Sequence, residues 1–348
     1  LYEKEKNRVF NSINPNETED VRIRPESLDD FIGQDQLKEK LKIYIQAARN
    51  RCEALDHSLF YGPPGLGKTT LAGIIANEMN GQLRVTTGPA LERAGDLAAI
   101  LSNLEDNDVL FIDEIHRLPS SVEEILYSGM EDYNLHIVVG KGPLANNICI
   151  PLPQFTLVGA TTRLGLLTSP LRARFGIVEQ LSLYSSEKLS EIITRGADVL
   201  NVKIDSKASE VIAKRSRGTP RVALRLLRRV RDVAEVRNKD FIDMPTTQTA
   251  LDMLGLDENG LDEGDRKILK VLVELFGGGP VGLSTISAAL NEEQQTLEDI
   301  YEPFLIQNGF IERTPRGRKA TGKAFEYLGL SIPETRQFSF GLDGDHLS

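Results

Sequence analysis

Apolar positions follow two rhythms along this chain. Up to residue 184, short apolar runs alternate with stretches in which apolar side chains return every three or four positions. The short runs, at 58–61, 84–87, 109–112, 155–161 and 178–183, have the length and the aromatic or β-branched content of buried strands. Between them lie amphipathic helices. The first full one starts near Gln36 and presents Leu37, Leu41, Tyr44, Ile45 and Ala48 on one face. Ser27-Leu28-Asp29-Asp30 reads as an earlier helix start. Strands alternating with helices predict βα crossovers and a mostly parallel sheet.

From residue 185 the strand signal stops. Residues 187–200, 206–217, 221–236 and 247–254 read as helices only, which predicts a small helical domain over 185–256. Asp257-Glu258-Asn259-Gly260 punctuates the chain. Residues 257–330 then give a helix, a Gly277-Gly278-Gly279-Pro280 turn, two more helices and two short strands at 310–313 and 318–321 around Pro315-Arg316-Gly317. That order is the one a winged-helix DNA-binding module shows. The plan is therefore a large α/β domain at 22–184, the helical domain and the winged helix. A mobile polar arm at 1–21 and a disordered tail at 331–348 flank them.

Composition narrows the classes. The 348 residues are 40% hydrophobic and 26% charged, as in ordinary globular domains. No apolar run approaches the roughly 20 residues that a membrane span needs, and the first residues lack the apolar core of a secretory signal. The two cysteines, Cys52 and Cys149, cannot make a disulfide framework or a four-cysteine zinc site. A reducing, cytoplasmic setting is the expectation. The net charge of −10 excludes a globally basic nucleic-acid binder. Positive charge is instead concentrated: residues 214–231 carry eight Lys/Arg and no acid, and residues 311–323 carry five against Glu312 alone. The first group, with Arg221, Arg225 and Arg228 on one helix face, reads mainly as a solvated face or an inter-subunit salt-bridge surface.

Four motifs carry chemistry. Gly62-Pro63-Pro64-Gly65-Leu66-Gly67-Lys68-Thr69 fits G-x-x-x-x-G-K-[ST] between a strand and a helix. There backbone N–H groups and a helix N-terminus can cradle phosphates, Lys68 can reach the β- and γ-phosphates, and Thr69 can ligate Mg²⁺. The 109–112 strand ends in Asp113-Glu114. Asp113 can join the Mg²⁺ shell and Glu114 can deprotonate a water. The 155–161 strand ends at Thr161-Thr162-Arg163, where a hydroxyl either senses a γ-phosphate or merely forms a turn. Arg172, Arg174 and Arg221 are candidate cations for a phosphate delivered within or between subunits.

Taken together, GPPGLGKTT (62–70), VLFIDEIHRL (109–118), LVGATTRLGLLTSPLRARFGIV (157–178), RSRGTPRVALRLLRRVRD (215–232), GLDEGDRKIL (260–269), GGPVGL (278–283) and YEPFLIQNGFIERTPRGRKAT (301–321) resemble the RuvB family. Those proteins are bacterial Holliday-junction branch-migration motors of the AAA+ ATPase superfamily. The resemblance implies a P-loop α/β domain, a helical lid and a winged helix, with ATP and Mg²⁺ as ligands. It implies that Gly62, Gly65, Gly67, Lys68, Thr69 and Thr70 hold phosphates, that Thr69 and Asp113 hold the metal, and that Glu114 is the base. Thr161 or Thr162 would be the γ-phosphate sensor. Arg174 would act on the neighbouring subunit. Glu131, Asp132 and Tyr133 would approach a nucleotide at that interface, with Tyr133 replacing the Phe of many relatives. Ile23, Arg24 and Tyr184 would flank adenine and ribose, and Arg221 would couple the lid to the nucleotide. Arg313, Arg316 and Arg318 would touch DNA phosphates. A hairpin at about Leu135–Gly140 and Asn147–Leu152 would bind RuvA. The family works as a homo-hexamer round duplex arms of the junction, with RuvC resolving it, and needs no membrane.

Two other readings stand beside this one. A clamp loader would show Ser-Arg-Cys where Ser169-Pro170-Leu171-Arg172 stands, and an unfoldase would carry an aromatic pore loop. A nucleotide-gated winged-helix switch would need neither Glu114 nor Arg174. His57, His116 and His136 are scattered, so no metal or catalytic role is expected of them.

Overall fold

The computed structural model describes residues 23–139, 146–237 and 239–331, in two compact units that meet between Leu251 and Asp252. The predicted arm, all but the first residue of the predicted tail and the tip of the hairpin lie outside the described residues.

The first unit opens with a turn rather than a helix at Ser27: its hydroxyl donates to Asp30 and accepts the Asp30 N–H, an ST-type closure that competes with helix formation. Helix α1 (Asp35–Arg51) begins eight residues later and buries Leu37, Leu41, Ile45 and Ala48. Then follow β1 (Ser58–Tyr61), α2 (Lys68–Glu78), β2 (Leu83–Thr87), α3 (Ala94–Leu101), β3 (Val109–Asp113) and α4 (Ser120–Glu131). After the hairpin β4 (Asn134–Val139) and β5 (Asn146–Pro151) come β6 (Thr156–Thr161), α5 (Ser169–Ala173) and β7 (Ile177–Gln180). Five strands form one parallel sheet in the order β2-β3-β6-β1-β7. The non-sequential order requires helical crossovers, and these cover the strands. β6 is buried along its whole length, which is why it reads as a continuous apolar run.

Register sets the active end. Tyr61 pairs with Thr161, Thr87 with Asp113, and Ile112 with Gly159. The carboxyl ends of β1, β3 and β6 therefore lie side by side, where open parallel sheets place their ligands. The hairpin is a separate antiparallel pair, with Leu135 opposite Ile150 and Leu152 N–H donating to the Tyr133 carbonyl at 2.7 Å.

The lid follows as α6 (Ser186–Val199), α7 (Ser206–Lys214), α8 (Pro220–Val236) and α9 (Met244–Met253). Its expected all-helical character needs one correction. Two-residue strands β8 (Lys203–Ile204) and β9 (Phe241–Ile242) pair in parallel, too short to leave a period in the sequence. Helix α8 is capped by the Thr219 hydroxyl, which accepts the Val222 N–H, and buries Ala223, Leu226, Leu227, Val230 and Ala234.

The second unit packs α10 (Glu263–Lys270), α11 (Leu283–Leu290), a helical stretch over 294–307 ending in α12 (Glu302–Gln307), the antiparallel pair β10 (Ile311–Thr314) and β11 (Gly317–Ala320), and α13 (Gly322–Tyr327). Its core is Leu261, Leu269, Leu272, Leu305, Phe310 and their neighbours. Val281 adds a bridge to Arg318, so a short third edge joins the two-stranded wing.

His57 ties the sheet of the first unit to α4. It is 6% exposed. Its Nδ1 accepts the Leu157 N–H at 2.9 Å, so its Nε2 carries the hydrogen and donates to the Met130 carbonyl at 3.1 Å. Burial pulls its pKa below 6.5, partly opposed by the Met130 bond. The unfolded chain therefore binds this proton at higher pH than the folded one, and its contribution to stability is present above about pH 6.5 and lost as pH falls. The expected outcome is a melting temperature that drops between pH 7 and pH 5. In His57→Leu it should be lower at pH 7 but less dependent on pH across that window. Thermal melts at several pH values check this, and equal slopes for both proteins would contradict it.

Candidate nucleotide site and basic wing

The loop after β1 is a close approach of backbones. Gly62 has φ +139°, and a Cβ there would lie 2.5 Å from the Leu181 carbonyl oxygen. Gly65 has φ +82°, and a Cβ there would crowd the Cβ of Arg221 at 3.0 Å. The first glycine lets the loop leave the sheet beside β7; the second lets the lid helix reach the loop. Arg221 N–H donates to the Gly65 carbonyl at 3.3 Å. The loop ends at Gly67, and α2 begins at Lys68 with its free N–H groups facing the cavity.

That cavity has a volume of about 460 Å³. Gly65, Gly67, Lys68, Thr69, Thr70, Asp113 and Glu114 line it from the sheet side, and Arg221, Arg225 and Arg228 from α8; Arg24 closes it. Five cations therefore face two carboxylates, a surplus suited to a polyphosphate. Lys68 is 7% exposed, and its ammonium donates to the Gly62 and Pro63 carbonyls at 2.9 Å each. Burial pulls its pKa down; Asp113 and Glu114 pull it back up, and Arg221 lowers it again. A second, smaller cavity of about 80 Å³ shares Arg24, Gly67, Thr70, Pro220 and Leu224 with the first and adds Ile23, Phe31, Leu66 and Tyr184. Its lining is mostly apolar, with Arg24, Asp30 and Arg195 at its edge. Tyr184 is fixed there by its hydroxyl on the Leu66 carbonyl at 3.2 Å, and Ile23 by Arg195 on its carbonyl at 2.8 Å.

Glu114 stands where β3 stops, in a left-handed conformation (φ 48°, ψ 45°). Such a backbone costs a non-glycine residue roughly 1–2 kcal/mol. Its Oε2 lies 3.3 Å from the Thr162 hydroxyl and 3.2 Å from His116 Nδ1. The two threonines, indistinguishable in the sequence, differ here. Thr161 is buried, with its hydroxyl on His116 Nδ1 at 2.9 Å and on the Arg163 N–H at 3.0 Å. Thr162 is the one that touches the cavity-lining carboxylate.

Arg174, Glu131, Asp132 and Tyr133 lie apart from both cavities. Of the last three, only Glu131 pairs with Arg174. Arg174 pairs with Glu131 at 2.9 Å, donates to the Pro170 carbonyl at 2.8 Å and lies 4.3 Å over the Tyr127 ring. Tyr133 packs edge-on against Phe155 at 5.9 Å, at the root of the hairpin.

In the second unit the three wing arginines are not equivalent. Glu302 is 4% exposed and accepts both guanidiniums: Arg313 at 3.0 and 2.8 Å, Arg318 at 2.9 and 3.1 Å. Burial pushes the Glu302 pKa up, but the Arg313 and Arg318 bonds outweigh it and the net shift is downward. Arg318 is thus tied to Glu302 within the module, with little of its side chain exposed. Arg316, at the tip, is exposed and has no ion pair among the described residues.

Three further features escaped sequence reasoning. Arg225 and Arg228 line the phosphate cavity, Arg225 while remaining exposed, and only the position of α8 against the loop reveals it. His116 contacts Glu114 and Thr161, although it was read as unremarkable. Glu302 gave no signal beyond its helical position.

A strand, a phosphate loop, an acidic strand end and an arginine-bearing helical lid define a P-loop ATPase of the AAA+ class. Residues 23–181 match the description of the Holliday junction DNA helicase RuvB P-loop domain, 184–257 the RuvB AAA lid domain, and 258–329 the RuvB C-terminal winged helix domain. The chain is 57% identical over 330 residues to the Holliday junction branch migration complex subunit RuvB of Ligilactobacillus salivarius, covering 95% of this chain and 98% of that protein. The solved Thermotoga maritima RuvB Holliday junction branch migration motor superposes with a TM-score of 0.81 at 52% identity, over 90% of this chain and 100% of that one. A mutant of that protein gives 0.82 at 51% identity, over 89% and 99%. The chain belongs to the RuvB family.

Removing Arg318 leaves the Glu302 carboxylate short of a partner in a buried place. Arg318→Ala should lower the stability of the second unit by about 1–3 kcal/mol, whereas Arg316→Ala should change it by less than about 0.5 kcal/mol. Chemical unfolding checks this, and equal stabilities would contradict it.

Proposed function

We propose that this protein is an ATP-dependent DNA motor. It drives branch migration of Holliday junctions in homologous recombination and repair, in the bacterial cytoplasm. The observation that carries the reading is the cationic cavity between the phosphate loop and the lid helix, with Lys68 and Glu114 facing it.

In this reading the loop N–H groups and Lys68 bind the phosphates, and Arg24, Ile23 and Tyr184 bind the nucleoside end. Thr69 and Asp113 both line the cavity. One hydroxyl and one carboxylate beside phosphate oxygens are a sufficient protein share for Mg²⁺, which keeps several waters. When bound, the ion neutralises charge on the β- and γ-phosphates. Glu114 accepts a proton from the attacking water, whose oxygen bonds to the γ-phosphorus as the bond to ADP breaks. Thr162, hydrogen-bonded to Glu114, is the sensor we favour, with Thr161 supporting it from behind. Arg174 does not line its own cavity and acts on the neighbour's γ-phosphate in a homo-hexameric ring. Glu131, Asp132 and Tyr133 accompany it. Arg221 reports the nucleotide to the lid. Arg316 leads the contact with duplex phosphates, without reading bases. RuvA docks on the β4–β5 hairpin, and RuvC completes the complex.

The mixed-subunit experiment tests the interlocking of neighbours. Glu114→Gln should bind ATP but turn it over at least about a hundredfold more slowly. Arg174→Ala and Lys68→Ala, each inactive alone, should recover part of their ATP turnover when mixed, because one supplies the intact cavity and the other the intact arginine. Mixtures that stay dead at every ratio would contradict an arginine acting between subunits. In salt titrations, Arg316→Ala should weaken duplex binding equally across sequences and reduce the salt slope by about one. A sequence-dependent loss would contradict a backbone contact.

A further inference from the structure

His116 lies in a place where its ring does more than fill space. Its side chain is 8% exposed. Nδ1 stands 3.2 Å from Glu114 Oε2 and 2.9 Å from Thr161 Oγ1. A carboxylate oxygen only accepts, so the contact with Glu114 needs the hydrogen on Nδ1, and the Thr161 hydroxyl oxygen at 2.9 Å then accepts a share of that same N–H rather than donating to the ring. Thr161 Oγ1 accepts from the Arg163 N–H at 3.0 Å and belongs to the buried end of β6, so it is a fixed post beside the ring.

The same oxygen, Oε2, is also held by the Thr162 hydroxyl at 3.3 Å. Both grips therefore fall on one oxygen of Glu114, and no hydrogen bond among the described residues falls on the other, Oε1. Glu114 needs such holding. Its backbone is in the left-handed region, at the point where β3 gives way to a single turn over Ile115–Arg117. A carboxylate on a strained turn, at the wall of an open cavity, has several rotamers open to it.

We propose that His116 is a positioning residue for hydrolysis: it anchors Oε2 of Glu114 to the end of β6 and so leaves Oε1 aimed to take the proton from the attacking water. This rests on the reading of Glu114 as the base. His116 itself does not touch nucleotide.

The test uses the full chain with duplex DNA and ATP. Asparagine places an N–H donor where Nδ1 is, glutamine places one where Nε2 is, and leucine keeps the bulk with no donor. His116→Asn should keep kcat within about threefold of the parent. His116→Gln and His116→Leu should lower kcat by about tenfold or more, since a carboxylate displaced by an ångström costs rate and not binding. KM for ATP, and affinity for a non-hydrolysable ATP analogue, should stay within about twofold in all three. A packing role would instead spare His116→Leu or move all three variants together with their melting temperatures. Full kcat in His116→Leu, or equal loss in His116→Asn and His116→Gln, overturns the proposal. Glu114→Gln, measured alongside, separates the two ideas: normal turnover in that variant removes the base itself, whereas its loss with an unaffected His116→Leu removes only the anchor.

Discussion

Everything in the first unit depends on holding one buried ammonium, Lys68, close to the arginines of the lid helix. Lys68 sits with its ammonium on two loop carbonyls, while Arg221, Arg225 and Arg228 face it from α8. Burial disfavours the charged form of Lys68, and Asp113 and Glu114 are the nearest compensation. A polyphosphate is the partner that relieves this repulsion. The loop glycines exist to permit the arrangement: a Cβ at Gly65 would keep the lid arginine away, and one at Gly62 would push the loop off the sheet. Phosphate binding and lid position are consequently one problem, solved by the same backbone contact between Gly65 and Arg221.

A second design principle is the separation of charge roles. In the nucleotide cavity the cations line an open volume of about 460 Å³. In the wing, two of three arginines are paired with the buried Glu302 and, more distantly, with Glu298, and serve the fold. Arg316, at the tight turn, is outward and stands outside that pairing, with Arg313 half exposed beside it. A module built this way offers few strong contacts to a duplex, which suits a protein that must let go and move on. The acidic remainder of the chain, at −10 overall, discourages binding elsewhere.

Much of this was legible in the sequence because its signals are local. The strands expected at 58–61 and 109–112 match β1 and β3 to within a residue, since buried parallel strands are uninterrupted apolar runs. The phosphate loop was readable because glycines, lysine and hydroxyl must follow in fixed order. Other features were not readable. The Ser27 segment has the composition of a helix start, but its side chain closes a turn. The β8–β9 pair is too short to carry a period. His116, Arg225 and Arg228 meet the site only through the left-handed turn at Glu114 and the docking of α8 on the loop. Those are tertiary facts, and no spacing along the chain encodes them. The distinction between Arg316 and Arg318 likewise depends on which side of the wing faces Glu302.

The central claim is that the cavity between loop and lid is an electrostatic trap for a triphosphate. Calorimetric titration of the full chain with AMP, ADP and ATP in Mg²⁺ tests it most directly. The account predicts affinity rising with each added phosphate, with the ATP step shrinking in Arg221→Ala. Equal affinity for AMP and ATP, unchanged by that substitution, would contradict it.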